Sequence, residues 1–160
     1  ITPEELQKAQ DALKKQLGEE NIVARIVIDE DNLVCSFENP QNPQLEESFN
    51  FGINGLTKTK RDGFPKRGVR IFENFSLSSI NLSEATNYLS KARQRIEIPD
   101  AVLTSIKIFR KKESVNDKEA KITWNIDFKK GVNEASVVYN NEGKEIRFSK
   151  NGQTIFEEKD

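Results

Sequence analysis

No histidine occurs anywhere in the 160 residues. Its absence removes the commonest general base, the Ser-His and Cys-His nucleophilic pairs, and the commonest zinc ligand. One cysteine is present, Cys35, which excludes an internal disulfide and any paired-cysteine metal knuckle. It sits in Leu33-Val34-Cys35-Ser36-Phe37, where Leu33, Cys35 and Phe37 alternate onto one face of a strand. A packed core thiol is expected, with no imidazole to activate it. A glycine-rich phosphate loop of the P-loop or dinucleotide kind is also missing.

Carboxylates are plentiful, 26 in all, and two of them suffice for glycoside hydrolysis. Asp29, Glu30 and Asp31 crowd one tight turn, where acids are usually solvated. Calcium takes about six to eight oxygens, and this turn lacks the longer spacing of a dedicated calcium loop. Glu46-Glu47 and Glu157-Glu158 read as surface charges. No catalytic residue, metal ligand or cofactor is therefore expected.

The local anomaly is basic. Lys58, Lys60, Arg61, Lys66, Arg67 and Arg70 stand against the single acid Asp62, in a chain whose net charge is -1. One reading is a solvated loop whose charges keep neighbouring sheet edges away. The other is a contact patch for an acidic partner, with Phe64 as apolar anchor among Lys58, Lys60, Arg61, Lys66, Arg67 and Arg70. No second basic element supports it, so nucleic acid is not expected as the partner.

The elements that must position these groups are legible from periodicity. Thr2-Pro3-Glu4-Glu5 is a capping box with proline at the first helical position, and Leu6, Ala9, Leu13 and Leu17 follow at helical spacing until Gly18. Strands are predicted at 22–28 and 33–37, around the acidic turn. Residues 38–47, with two prolines and little that is apolar, read as a loop. Phe49, Phe51 and Ile53 alternate as a third strand, residues 58–68 form another loop, and 69–77 make a less regular fourth strand. The pattern then restarts. Asn81 to Glu84 repeats the cap logic, and Leu82, Ala85, Leu89, Ala92 and Ile96 form a second apolar stripe that Pro99 ends. Strands follow at 102–110, 121–128, 135–139 and 144–149, with a short last one at 154–156. Asn141-Glu142-Gly143 and Asn151-Gly152 supply the hairpin turns.

No helix separates consecutive strands, so the strands must pair antiparallel, and one helix per unit covers one face of its sheet. The fold class is α+β: two helix-plus-antiparallel-meander units (αβββ repeats), residues 1–78 and 79–160, with their helices on one face. Leu6, Ala9 and Leu13 align at a common offset with Leu82, Ala85 and Leu89, which favours a duplication. Phe makes up ten of the thirteen aromatics and, lacking a polar tip, is expected mostly inside.

The second half carries a resemblance. A capped helix at 81–96 leads to Leu103-Thr104-Ser105-Ile106-Lys107. The alternating Ile122-Thr123-Trp124-Asn125-Ile126-Asp127-Phe128 and the closing run from Glu134 to Ile146 follow, around Asn140-Asn141-Glu142-Gly143-Lys144. Together they resemble PepSY-like domains over about residues 81 to 149, with a poorer echo in 2–57. In tandem they are similar to the β-lactamase-inhibitor-protein-like fold. The long loops at 38–47 and 58–68 depart from the usual pattern.

The resemblance implies a secreted or lipid-anchored bacterial protein, non-catalytic, in some cases an inhibitor or regulator of a peptidase. The chain lacks methionine even at its start, as expected of a chain whose leader was removed, though trimming gives the same appearance. A non-catalytic exported binding module follows, monomeric, periplasmic or held at the cell surface by a lipid anchor in the removed leader, with a protein or envelope component as partner. No stretch approaches the roughly 20 apolar residues that span a bilayer. Two alternatives stay open: a carboxylate-only hydrolase acting on polysaccharide, and a structural domain of a surface assembly that self-associates through an edge strand.

Overall fold

The computed structural model describes residues 2–39, 41–58, 64–65 and 71–159, and of residues 43, 44, 64 and 65 the backbone alone. Helix α1 runs over Pro3–Leu17 with its capping box formed: Thr2 Oγ1 accepts from the Glu5 amide, and Glu5 Oε2 accepts from the Thr2 amide. Asn81 caps a short 3-10 turn over Leu82–Glu84, and helix α2 continues as Ala85–Ile96. No described helix is long and apolar enough to cross a membrane.

Thirteen strands follow the chain: β1 Ile22–Val23, β2 Arg25–Ile28, β3 Leu33–Asn39, β4 Asn42–Gly52, β5 Gly55–Lys58, β6 Phe64–Pro65, β7 Phe72–Glu73, β8 Phe75–Ser76, β9 Val102–Lys111, β10 Lys121–Lys130, β11 Asn133–Asn140, β12 Glu145–Lys150 and β13 Gln153–Glu157. The described pairings are all antiparallel. The main sheet runs β13-β12-β11-β10-β9-β2-β3-β4-β5, with β6 on β4 and β7 on β9, while β1 and β8 pair separately. An α+β architecture with a large antiparallel sheet is therefore present, as the sequence predicts.

The core lies between the helices and one face of this sheet. Its rows cross the whole structure. Tyr139, Trp124, Ile108, Ile26, Cys35 and Phe49 stand side by side on successive strands, as do Phe148, Val137, Ile126, Ile106, Ile28 and Leu33. All twelve are buried. From above, α1 contributes Leu6, Ala9 and Leu13, and α2 contributes Ala85, Tyr88, Ala92 and Ile96.

Several local readings change. Residues 38–47 belong mostly to the β3–β4 ladder, not to a loop. Asn39 Oδ1 accepts from the amides of Gln41 and Asn42, so a side chain closes the turn, and polar residues suit a ladder that has one uncovered face. The predicted strand at 22–28 breaks at Ala24, and β1 turns away to pair with β8. Residues 72–76 give two short strands, not one long one. On α2 the seam takes Tyr88, while Leu89 is only partly buried. Tyr88 meets the Trp124 ring edge-on at 4.9 Å and stacks on Tyr139 at 5.5 Å, and its hydroxyl donates to the Asn141 carbonyl. Among described phenylalanines, five are buried, but Phe72 is 52% exposed and Phe156 41%.

A polar brace ties α1 to the start of α2. Gln10, 3% exposed, donates through Nε2 to the carbonyls of Leu77 (3.2 Å) and Ile80 (2.9 Å) and accepts from the Leu82 amide (2.8 Å). Removing it leaves the Ile80 carbonyl and the Leu82 amide without this partner, while the Leu77 carbonyl keeps the Ile80 amide. Gln10→Leu is expected to cost about 3 kcal/mol in urea unfolding, because an unpaired buried polar group carries its full desolvation penalty. A variant as stable as the parent would show that these carbonyls and this amide find other partners.

Candidate functional site

The basic run is described only at its margins. Lys58 closes β5 on the helix-side face, where its Nζ lies 3.3 Å from Glu47 Oε2 and 6.0 Å from the centre of the Phe37 ring. Its charge therefore has an intramolecular partner. Lys60, Arg61, Lys66, Arg67 and Arg70 lie outside the described residues, and of Phe64 the backbone alone is described, paired to Glu46 in β4.

The other chemical candidates are occupied structurally. Asp29 Oδ1 accepts from the amides of Asp31 and Asn32, so this carboxylate shapes the β2–β3 turn. Among the described residues no group of three or more Cys, Asp or Glu side chains is placed to hold a metal. Cys35 is wholly buried between Ile26 and Phe49, and burial pushes its thiol up to about 12. At neutral pH it is a protonated core side chain, not a nucleophile.

Among the described residues, no helix packs on the sheet face opposite α1 and α2. Strand alternation places one residue of every strand of the main sheet in a single transverse row: Thr57, Asn50, Val34, Val27, Lys107, Asn125, Val138, Arg147 and Glu157. A second row, Ser105, Asp127, Ser136, Ser149 and Thr154, runs beside it. A water-facing antiparallel sheet is ordinarily polar throughout. Here Val27 and Val34, both partly exposed, and the buried Val138 interrupt the polar row, and short Ser, Thr and Asn side chains leave the backbone surface shallow. A depression of about 250 Å³ opens on this face between β9, β10 and β12, with Lys121, Thr123, Asn125 and Arg147 in its wall. The face can present hydrogen-bonding groups and small apolar contacts to a partner.

Sequence reasoning sees half of this face. Thr123, Asn125 and Asp127 are visible as the polar phase of the strongest alternation in the chain. The row itself is not, because it depends on β2 pairing with β9 across almost 80 residues, as in Val27 opposite Lys107.

The Cys35 environment gives a pH dependence. Its folded value lies above the ordinary 9.0, so the folded state holds the proton over that interval and the unfolded chain releases it. Stability contributed this way is complete below about pH 9 and is lost as pH rises toward 12, at about 1.4 kcal/mol per pH unit. Burial, then the nearby Glu145, pushes Tyr139 up to about 12 as well, which adds to the fall above pH 10. Urea midpoints measured from about pH 8 to pH 11 are expected to drop steeply in the parent and less in Cys35→Ala. A thiol reagent that labels the native protein at the rate of a free thiol would contradict the buried state.

Set against known proteins, the chain matches no family model, no curated protein and no solved structure, so its candidate site rests on this geometry alone.

Proposed function

We propose that the chain is a non-catalytic bacterial binding module, exported to the periplasm or the cell surface, that engages a protein or envelope component through the helix-free face of its sheet. The observation that carries this reading is the transverse row on the helix-free face, where Val27 and Val34 stay partly exposed beside Lys107. Apolar side chains turned away from a core that is complete without them mark a contact surface. Short polar neighbours then supply hydrogen bonds at the rim of such a contact.

Two further features support it. The sheet order places β2 and β9, the first strand of the main sheet after each helix, at the centre, with β3, β4 and β5 running outward on one side and β10 to β13 on the other. That arrangement favours two helix-plus-meander units, 1–78 and 79–160, joined at β9 by β2 and by the short β7. It also fits the PepSY-like resemblance of the second half, which implies the exported or lipid-anchored setting and the binding role.

Lysine acylation followed by mass spectrometry tests the reading, on the chain alone and after incubation with an envelope extract of the producing cells. Lys107, Lys111 and Lys121, on the open face, are expected to be protected in the complex, while Lys15 and Lys91 on the helices keep their reactivity. Protection confined to the helices would overturn it.

A further inference from the structure

We infer that the open face has a defined hot spot, the aromatic pair Phe72–Phe109 ringed by Arg25, Lys107, Lys111 and Lys121, and that it takes an acidic protein segment bearing an apolar side chain. The inference rests on the open-face reading and names its partner chemistry.

Phe72 and Phe109 meet edge-to-face, ring centres 5.3 Å apart at 83°. Phe109 alternates with the buried Ile108 and so points away from the helices, and Phe72 follows it there, since β7 pairs Phe72 with Lys111. Phe72 is 52% exposed and adds nothing to the core. An exposed aromatic already steadied by a second ring loses little freedom on binding, which is the property of an interface anchor.

The charges around the pair are arranged at a cost to the fold. Lys111 and Lys121 stand directly opposite each other on β9 and β10, a like-charge pairing that destabilises an antiparallel ladder. Lys107 shares their face two strand steps away, and Arg25 lies one step beyond the Ile26–Ile108 pair, beside Phe109. None of these four cations makes an ion pair among the described residues. The nearest acid on β7, Glu73, faces the helix side, where Lys112 (3.4 Å) and Arg110 (3.8 Å) occupy it. Glu113, Glu157 and Glu158 line the same depression as Lys111 and Lys121 but form no ion pair with them, and cations left free beside an exposed aromatic suit carboxylates flanking an apolar side chain. Four cations make too short a stripe for a nucleic acid or sulfated polysaccharide, whose affinity grows with the number of charges neutralised.

Fluorescence anisotropy on the full chain tests this, with a labelled peptide carrying one phenylalanine flanked by glutamates. Binding is expected to weaken about tenfold or more in Phe72→Ala, comparably in the double variant Lys111→Glu/Lys121→Glu, and progressively with salt. The glutamates without the phenylalanine should bind as weakly as the variants do. Circular dichroism and urea unfolding check folding, and the double variant should be no less stable than the parent, since replacement of both lysines by glutamates leaves the pair like-charged as before. No binding up to about 1 mM, equal binding by Phe72→Ala, or a lysine-flanked peptide binding as tightly would overturn the inference. Heparin or duplex DNA binding more tightly than the peptide would overturn it in favour of a polyanion. Protection on the open face with a complex unaffected by Phe72→Ala would remove the hot spot alone, whereas protection on the helices would remove the open-face reading too.

Discussion

Everything in this structure depends on a three-residue ladder. Ile26, Val27 and Ile28 of β2 pair with Ile108, Lys107 and Ile106 of β9, and through them two meanders become one sheet. Without it β2 would be a bare edge, β9 would keep on that side only β7 at its far end, and the two core rows would each stop at their middle. The four isoleucines are buried, and a fully buried isoleucine contributes about 1.5–3 kcal/mol relative to exposure. The side chain between them on each strand, Val27 or Lys107, faces the other way. The same ladder thus closes the core and makes the open row continuous.

That dual role explains why the helices are locked together by polar atoms as well as by apolar ones. Leu77, Ile80 and Leu82, the segment before α2, are bonded through Gln10 to α1. At the far side of α2, Asn141 accepts from Trp124 Nε1 (3.1 Å) and donates to the Ser79 carbonyl (2.9 Å). Hydrogen bonds of fixed direction set the positions of α1 and α2 over the seam in a way that interchangeable leucines would not. Gly143 fits the same corner: its φ of +82° suits glycine, and a Cβ there would lie 2.9 Å from the Tyr88 ring.

How much of this was legible in the sequence follows from what each feature depends on. Caps and helical stripes are local, so α1 was readable from Thr2 to Gly18 and α2 nearly so. Tyr88 was not, because its place in the core needs a carbonyl supplied by Asn141, 53 positions away. The ladder at 38–47 was hidden by its prolines and glutamates, since strand identity there comes from pairing with β3, not from side-chain period. The β2–β9 seam has no local signature at all. The basic run at 58–70 was conspicuous in composition, yet its only described cation, Lys58, is engaged by Glu47. The quieter cations that share a face with Phe72 and Phe109 were dispersed over β2, β9 and β10, and only the pairing brings them together.

The edges of the sheet help to decide between a face and an edge as the place of contact. At one end β13 pairs with β12 through a register shift at Phe148/Ser149, which leaves Ile155 without a partner opposite it. Such a bulge twists an edge away from further pairing. The flanking Glu157 and Glu158 add charge, and Glu158 is clasped by Lys144. At the other end β5 has four residues, too few to template a long ladder. Both ends are therefore poor sites for adding a strand, whereas the open face is broad, partly apolar and carries cations without ion pairs around Phe109. An assembly through edge strands would have to undo the β13 bulge first. A partner on the face has nothing to undo.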